Sequence, residues 1–144
     1  MNNNEFLGKI ISFLYRYGKI YLDTELESYH IGSGQFYLLM PLFAQDGINQ
    51  ESLAQIIKVD KATVTRAIQK LVDEGYVFRQ RDEEDRRAYR VFLTAKARVI
   101  EPEIRKIALG WEEILLSGLD ADQKELIAHT FGDMIENVSH IMET

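Results

Sequence analysis

The stretch from Asn49 to Thr94 constrains the fold of this 144-residue chain more than any other. It opens with Asn49-Gln50-Glu51-Ser52-Leu53-Ala54 and continues with Asp60-Lys61-Ala62-Thr63-Val64-Thr65-Arg66. Asn49 and Asp60 are short polar side chains that can accept hydrogen bonds from the first amides of a helix, so each marks a helix start. One helix is predicted over Gln50 to about Lys58, with Leu53, Ile56 and Ile57 on its core face. The next runs from Asp60 to about Glu74 and stops at Gly75, a common residue just past a helix. Tyr76-Val77-Phe78 and Tyr89-Arg90-Val91-Phe92-Leu93 are β-prone runs separated by polar residues, which predicts a hairpin. Two helices joined by a turn and followed by a charged hairpin form the pattern of a winged helix.

Helical patterns flank this unit. The first spans Glu5 to about Leu26, with Phe6, Ile10, Leu14, Tyr17 and Tyr21 recurring at three- and four-residue steps. After a break at Tyr29 to Gly34, a second helix is capped by Gly32 or Ser33, with Gln35 helping to close it. It carries Phe36, Leu39, Leu42 and Phe43 inward and ends at Asp46-Gly47, and Pro41 should bend or divide it. Thr94 caps a fifth helix that reaches about Ser117, interrupted early by Pro102. Asp120 with Gln123 forms a capping box for a last helix ending near Ile141. The expected fold class is mainly α with a small β-hairpin wing, in the order α-α-α-α-β-β-α-α.

Composition narrows the function. A 46% hydrophobic content supports a real core, and the absence of cysteine excludes disulfides, thiolate metal sites and thiol redox sensing. No window approaches the ~18 consecutive apolar residues of a membrane span. No basic segment precedes an apolar run at the start, so no export signal is visible and a cytoplasmic protein is expected. His30, His129 and His140 are scattered without metal-ligand spacing, so neither a metal nor another cofactor is expected. Nothing resembles a nucleophile–base motif, a Gly-rich phosphate loop or HExxH, and the chain does not read as an enzyme. The formal charge is -6, but Lys58 to Arg98 holds 11 Lys or Arg against 7 Asp or Glu. A local +4 therefore sits on a remainder of -10, and contact with phosphates depends on the local patch.

On the helix after Asp60, Val64, Ile68, Leu71 and Val72 share one face. Ala62, Thr63, Arg66, Gln69 and Lys70 fall broadly opposite, with Thr65 at the flank. Arginine can donate twice to guanine, glutamine can pair with adenine, and Thr or Ala can touch a thymine methyl. Lys61 and Lys70 suit phosphates, since a mobile ammonium positions without specifying. A solvated polar face is the plainer explanation of this helix taken alone. The hairpin favours the other: Arg79, Arg81, Arg86, Arg87 and Arg90 interleave with Asp82, Glu83, Glu84 and Asp85. Four acids at a tip would repel DNA unless some neutralise arginines internally. One or two are expected to hold Arg side chains, leaving Arg86 or Arg87 to project toward a minor groove or phosphates.

Asp60 to Thr94 resembles the MarR family of winged-helix transcriptional regulators. The resemblance rests on Lys61-Ala62-Thr63-Val64-Thr65-Arg66, on Leu71-Val72-Asp73-Glu74-Gly75-Tyr76-Val77, on Arg79 through Asp85-Arg86-Arg87, and on Leu93-Thr94. It implies that Asp85 and Arg87 form the wing signature, with Arg87 entering the minor groove. Departures are Ala97, where the family often has Gly, and Asn49, where Thr is common. DNA-contact candidates are Lys61, Ala62, Thr63, Thr65, Arg66, Gln69, Lys70, Arg79, Arg81, Asp85, Arg86 and Arg87.

The resemblance also implies one MarR-like domain over 1–144, with the reader at about 32–96 and dimerisation helices at about 5–28 and 100–142. The last helix carries an apolar stripe, Ile127, Phe131, Met134, Ile135, Val138, Ile141 and Met142, too large to leave wet. The fifth repeats Ile100, Ile104, Ile107, Trp111 and Ile114 as a strut. An intertwined homodimer on double-stranded DNA, most simply a repressor, is the expected assembly. MarR-like proteins often release DNA on binding a small phenolic or aromatic carboxylate. Arg16 is the candidate partner of such an anion, with Tyr37 and Trp111 among the aromatic residues nearby. A winged-helix protein-interaction module without DNA binding is the alternative, and outward arginines at both helix and wing argue against it.

Overall fold

The computed structural model describes residues 6–143, with side chains described to Ile141. The expected helix start at Glu5 lies outside the described residues, as does the Met142 side chain. The elements are α1 (Leu7–Leu26), a 3-10 turn (Glu27–Tyr29), α2 (Ser33–Ala44), β1 (Ile48–Asn49), α3 (Gln50–Ile57) and α4 (Lys61–Asp73). They continue with β2 (Val77–Arg81), β3 (Tyr89–Leu93), α5 (Ala95–Leu115), α6 (Ala121–Ser139) and a closing 3-10 turn (His140–Glu143). By compactness the chain divides into two units, residues up to Trp111 and residues from Glu112 onward. No helix among the described residues is long and apolar enough to cross a membrane.

In the first unit, Leu38, Leu39 and Leu42 of α2 meet Leu53 of α3 and Val64, Ile68 and Leu71 of α4, all essentially inaccessible to solvent. Leu22 and Leu26 of α1, Val91 of β3 and Ile104 of α5 complete this core. Leucine-rich helix faces of this kind supply most of the folding free energy, at roughly 25 cal/mol per Å² of apolar surface removed from water. Of the expected stripe, Leu14 and Tyr17 on α1 and Phe6 just before it are exposed, while Tyr21 packs half-buried against the core. Phe6 is 80% exposed and Tyr17 65%, whereas Gly18, Leu22 and Leu26 turn inward.

Four expectations are corrected. Pro41 neither divides α2 nor ends it: the helix runs through to Ala44, and the Gln45 amide still reaches the Pro41 carbonyl at 2.9 Å. Proline there forfeits one amide donor near the helix end, and burial of Leu42 and Phe43 beyond it outweighs that loss. Pro102 likewise leaves α5 continuous. Ile56 is 53% exposed, because the buried face of α3 uses Leu53 and the small Ala54. The sheet also has a third strand that the element order left out. β1 pairs antiparallel with β3 (Ile48 opposite Val91, Asn49 opposite Arg90), giving the order β1-β3-β2.

Local chemistry fixes the joints. The Ser33 amide donates to Asp23 Oδ1 at 2.8 Å, so α1 caps the start of α2, while the Gly32 amide donates to Gln35 Oε1 at 2.7 Å. Asn49 Oδ1 accepts from the Glu51 and Ser52 amides at 2.8 and 3.3 Å. Gly47 has φ of 72°, and a Cβ there would lie 2.7 Å from the Phe92 ring, so both conformation and space call for glycine in this turn. Asp46 Oδ1 accepts from the Leu93 and Gly47 amides and ties the turn to β3. At the base of the wing, the Tyr76 hydroxyl donates to the Tyr29 carbonyl at 2.6 Å. The Thr94 hydroxyl donates to the Gly75 carbonyl at 2.6 Å and accepts from the Ala97 amide, which caps α5 as expected.

In the second unit, the Asp120 and Gln123 side chains and amides exchange hydrogen bonds at 2.8 and 3.0 Å, the expected capping box of α6. No α6 residue is fully buried, and Leu126, Phe131, Ile135 and Val138 are all exposed.

Candidate nucleic-acid interface

α4 exposes Lys61, Ala62, Thr63, Thr65, Arg66, Gln69 and Lys70, while Val64, Ala67, Ile68 and Leu71 are buried beneath. Its head is tightly wired. The Asp60 carboxylate accepts from the Thr63 amide at 2.9 Å and from the Thr63 hydroxyl at 2.7 Å. These bonds, the amide first, hold the Asp60 carboxyl below the usual carboxylate range. Arg66 in turn donates to the Thr63 hydroxyl oxygen at 3.2 Å. The Thr65 hydroxyl donates to the Lys61 carbonyl at 2.9 Å and accepts from Gln50 Nε2 at 3.0 Å. That bridge sets α3 against α4 and leaves the Thr65 methyl for contacts outside the chain. Lys61 Nζ lies 3.1 Å from Glu51, both well exposed, a pair too solvated to add much stability.

The wing is built around one buried carboxylate. Asp82, only 7% exposed, accepts from the Glu84 amide at 2.9 Å and from Arg90 Nε at 3.0 Å, while Arg90 also donates to the Gly47 carbonyl at 3.0 Å. The Glu84 amide first, and the Arg90 charge after it, hold the Asp82 carboxyl below the usual range. Asp85 Oδ1 accepts from the Arg87 amide at 3.1 Å, and the Arg81 guanidinium donates to the Arg86 carbonyl while lying 5.1 Å from the centre of the Tyr89 ring. So one acid, Asp82, holds an arginine side chain, as expected, while Asp85 fixes a backbone amide. Arg86 and Arg87 are both exposed, and among the described residues neither guanidinium has a hydrogen-bond or ion-pair partner. A cleft of about 290 Å³ lies between the two helices and the wing, with Gln50, Lys61, Thr65, Asp85, Arg87 and Tyr89 in its walls.

Known proteins are similar to this chain over the same region. A sequence model of the MarR family matches residues 31–89. The chain is 31% identical over 121 residues to the uncharacterized HTH-type transcriptional regulator YybA of Bacillus subtilis, covering 84% of this chain and 81% of that protein. It is 59% identical to a MarR transcriptional regulator from Methanosarcina mazei Go1, whose crystal structure matches with a TM-score of 0.87 over 96% of this chain and 99% of the other. The chain belongs to the MarR family. A more distant MarR-family protein from Listeria monocytogenes, 24% identical, shares the fold with a TM-score of 0.87 over 96% of this chain and 92% of that one, and was solved complexed with 26mer DNA. The MarR family and these relatives are transcriptional regulators rather than enzymes.

Within the MarR fold, sequence reasoning missed the bracing residues. Gln50 and Asp46 join elements well separated in sequence, and no periodicity marks such a bridge. Arg79 and Gln69, both candidates for DNA contact, are joined to each other, Nη2 donating to Oε1 at 2.8 Å. The effector candidates Arg16, Tyr37 and Trp111 stand on three helices with separate neighbours. Arg16 lies 5.2 Å from the centre of the Phe13 ring, Tyr37 meets Phe36 edge-on, and Trp111 packs on Tyr21 at 5.5 Å. Burial pushes the Tyr37 hydroxyl pKa up, with Tyr15 adding to it, so Tyr37 is a neutral phenol at physiological pH.

Proposed function

We propose that this MarR-family chain is a homodimeric DNA-binding regulator that represses transcription by occupying a pseudo-palindromic operator. The observation that carries this reading is the pairing of an exposed α4 face with two unpartnered arginines at the wing tip. In this reading α4 enters the major groove. Arg66 donates to guanine, Ala62, Thr63 and Thr65 touch thymine methyls, and Lys61, Lys70 and Arg81 meet phosphates. Asp85 fixes the loop that sends Arg86 and Arg87 to the minor groove, where a guanidinium meets a strongly negative potential. The Listeria protein solved with 26mer DNA supports the assignment of this fold to duplex binding.

The exposed apolar faces of α1 and, separately, of α6 are the surfaces a second copy of the chain would cover. An isologous dimer presents two readers related by a two-fold axis, which matches two inverted half-sites. A small aromatic or phenolic anion, its charge met by Arg16 and its ring by Tyr37 and Trp111, would release the DNA. Titrating salicylate into the protein–DNA complex tests that element, and unchanged affinity up to the solubility limit removes it. The reading as a whole is tested by sequencing duplexes retained from a random pool. Inverted half-sites about one helical turn apart are expected, and retention no better than that of a non-binding control protein would overturn it.

A further inference from the structure

Gln69 lies near the end of α4, one helical step beyond Arg66 on the exposed face. Its carboxamide is held at both ends: Oε1 accepts from Arg79 Nη2 at 2.8 Å, and Nε2 donates to Asp73 Oδ1 at 2.8 Å. Exchanging the two ends would set an N–H against a guanidinium and an oxygen against a carboxylate, so the charges on either side permit one orientation only. One acceptor position and one donor position remain on the amide. Those are the two that the N6 and N7 edge of adenine requires.

Arg79 occupies a costly place. In β2 it stands opposite the fully buried Val91, on the sheet face it shares with Val77. Its Nε is buried without a hydrogen-bond partner. A β-branched apolar residue would fill that position with no orphaned donor, so packing alone does not explain an arginine there. What the side chain supplies is its far end, on Gln69.

We propose that Arg79 is a positioning residue for base recognition. Through Nη2 it locks the Gln69 amide in the orientation that reads adenine, and it makes no phosphate contact of its own. This rests on the DNA-binding reading above. Arg79→Met keeps a long stem in the sheet and removes both the Nη donor and the orphaned Nε, so the fold should survive it. With duplexes carrying each base at the position Gln69 reads, the wild type should prefer adenine by about tenfold. Arg79→Met, Gln69→Ala and the double variant should each reduce that preference to within about twofold, the double no further than either single change. The melting temperature of Arg79→Met and its slope of log affinity against log salt should match the wild type. Full adenine preference in Arg79→Met, or in Gln69→Ala, would overturn the proposal, and so would a shallower salt slope in Arg79→Met, which would mean a phosphate contact. A wild-type protein that retains no duplex would instead remove the DNA-binding reading itself, and this proposal with it.

Discussion

Arg87 brings charge and position together at the wing tip: its amide is fixed by Asp85 while its guanidinium is unpartnered among the described residues. Replacing it by alanine should weaken duplex binding by roughly 1–3 kcal/mol and reduce the salt slope by about one. Arg66→Ala should instead broaden the set of duplexes recovered from a random pool, because the proposed reading gives Arg66 a contact to a base. Asp82 does different work, anchoring the loop from inside. Its carboxyl is held down by the Glu84 amide and then by Arg90, so the folded value lies below the unfolded one. The resulting stability is present at neutral pH, where the carboxylate is ionised in both states. It is lost as pH falls through the ordinary aspartate range to the depressed folded value. Protection of the Glu84 amide from hydrogen exchange, measured against its intrinsic rate at each pH, should therefore fall on acidification in the wild type, and should already be low at neutral pH in Asp82→Asn.

Single elements test how the reader is held. Asn49 joins β1 to α3 and satisfies two helix amides, so Asn49→Ala should cost about 1 kcal/mol in denaturant unfolding. Ile68 sits fully buried on the inner face of α4, and Ile68→Ala should cost about 2–5 kcal/mol by the same measurement. At this scale much was legible. Asn49, Asp60, Thr94 and Asp120 announced their helices because capping is a local interaction between neighbouring residues. β1 was not legible, since two residues are too few to show an alternation, and their strand character comes from β3, some forty residues away. The prolines misled for a related reason. Pro41 breaks a local rule, and burial of Leu42 and Phe43 by distant residues decides the outcome.

For the whole molecule, charge and apolar stripes were both readable, and their partners were not. A local +4 on a body of -10 marks where DNA would be accepted, while the apolar side chains of α6 remain exposed in the single chain. Ile135→Glu puts a charge into that stripe. On the proposed dimer it should yield a monomer by analytical ultracentrifugation and weaken binding to a two-half-site duplex at least about tenfold, since a second reader would no longer be tethered. Arg79 and Arg90 show that arginines on a wing can serve the fold as readily as the groove, since Arg79 holds Gln69 and Arg90 holds Asp82. The most direct test is fluorescence anisotropy of a labelled duplex from upstream of the chain's own gene, titrated at several salt concentrations. Saturable binding that weakens steeply as salt rises is expected, as phosphate contacts release counterions. A titration no different from that of an unrelated duplex, at every salt concentration, would contradict it.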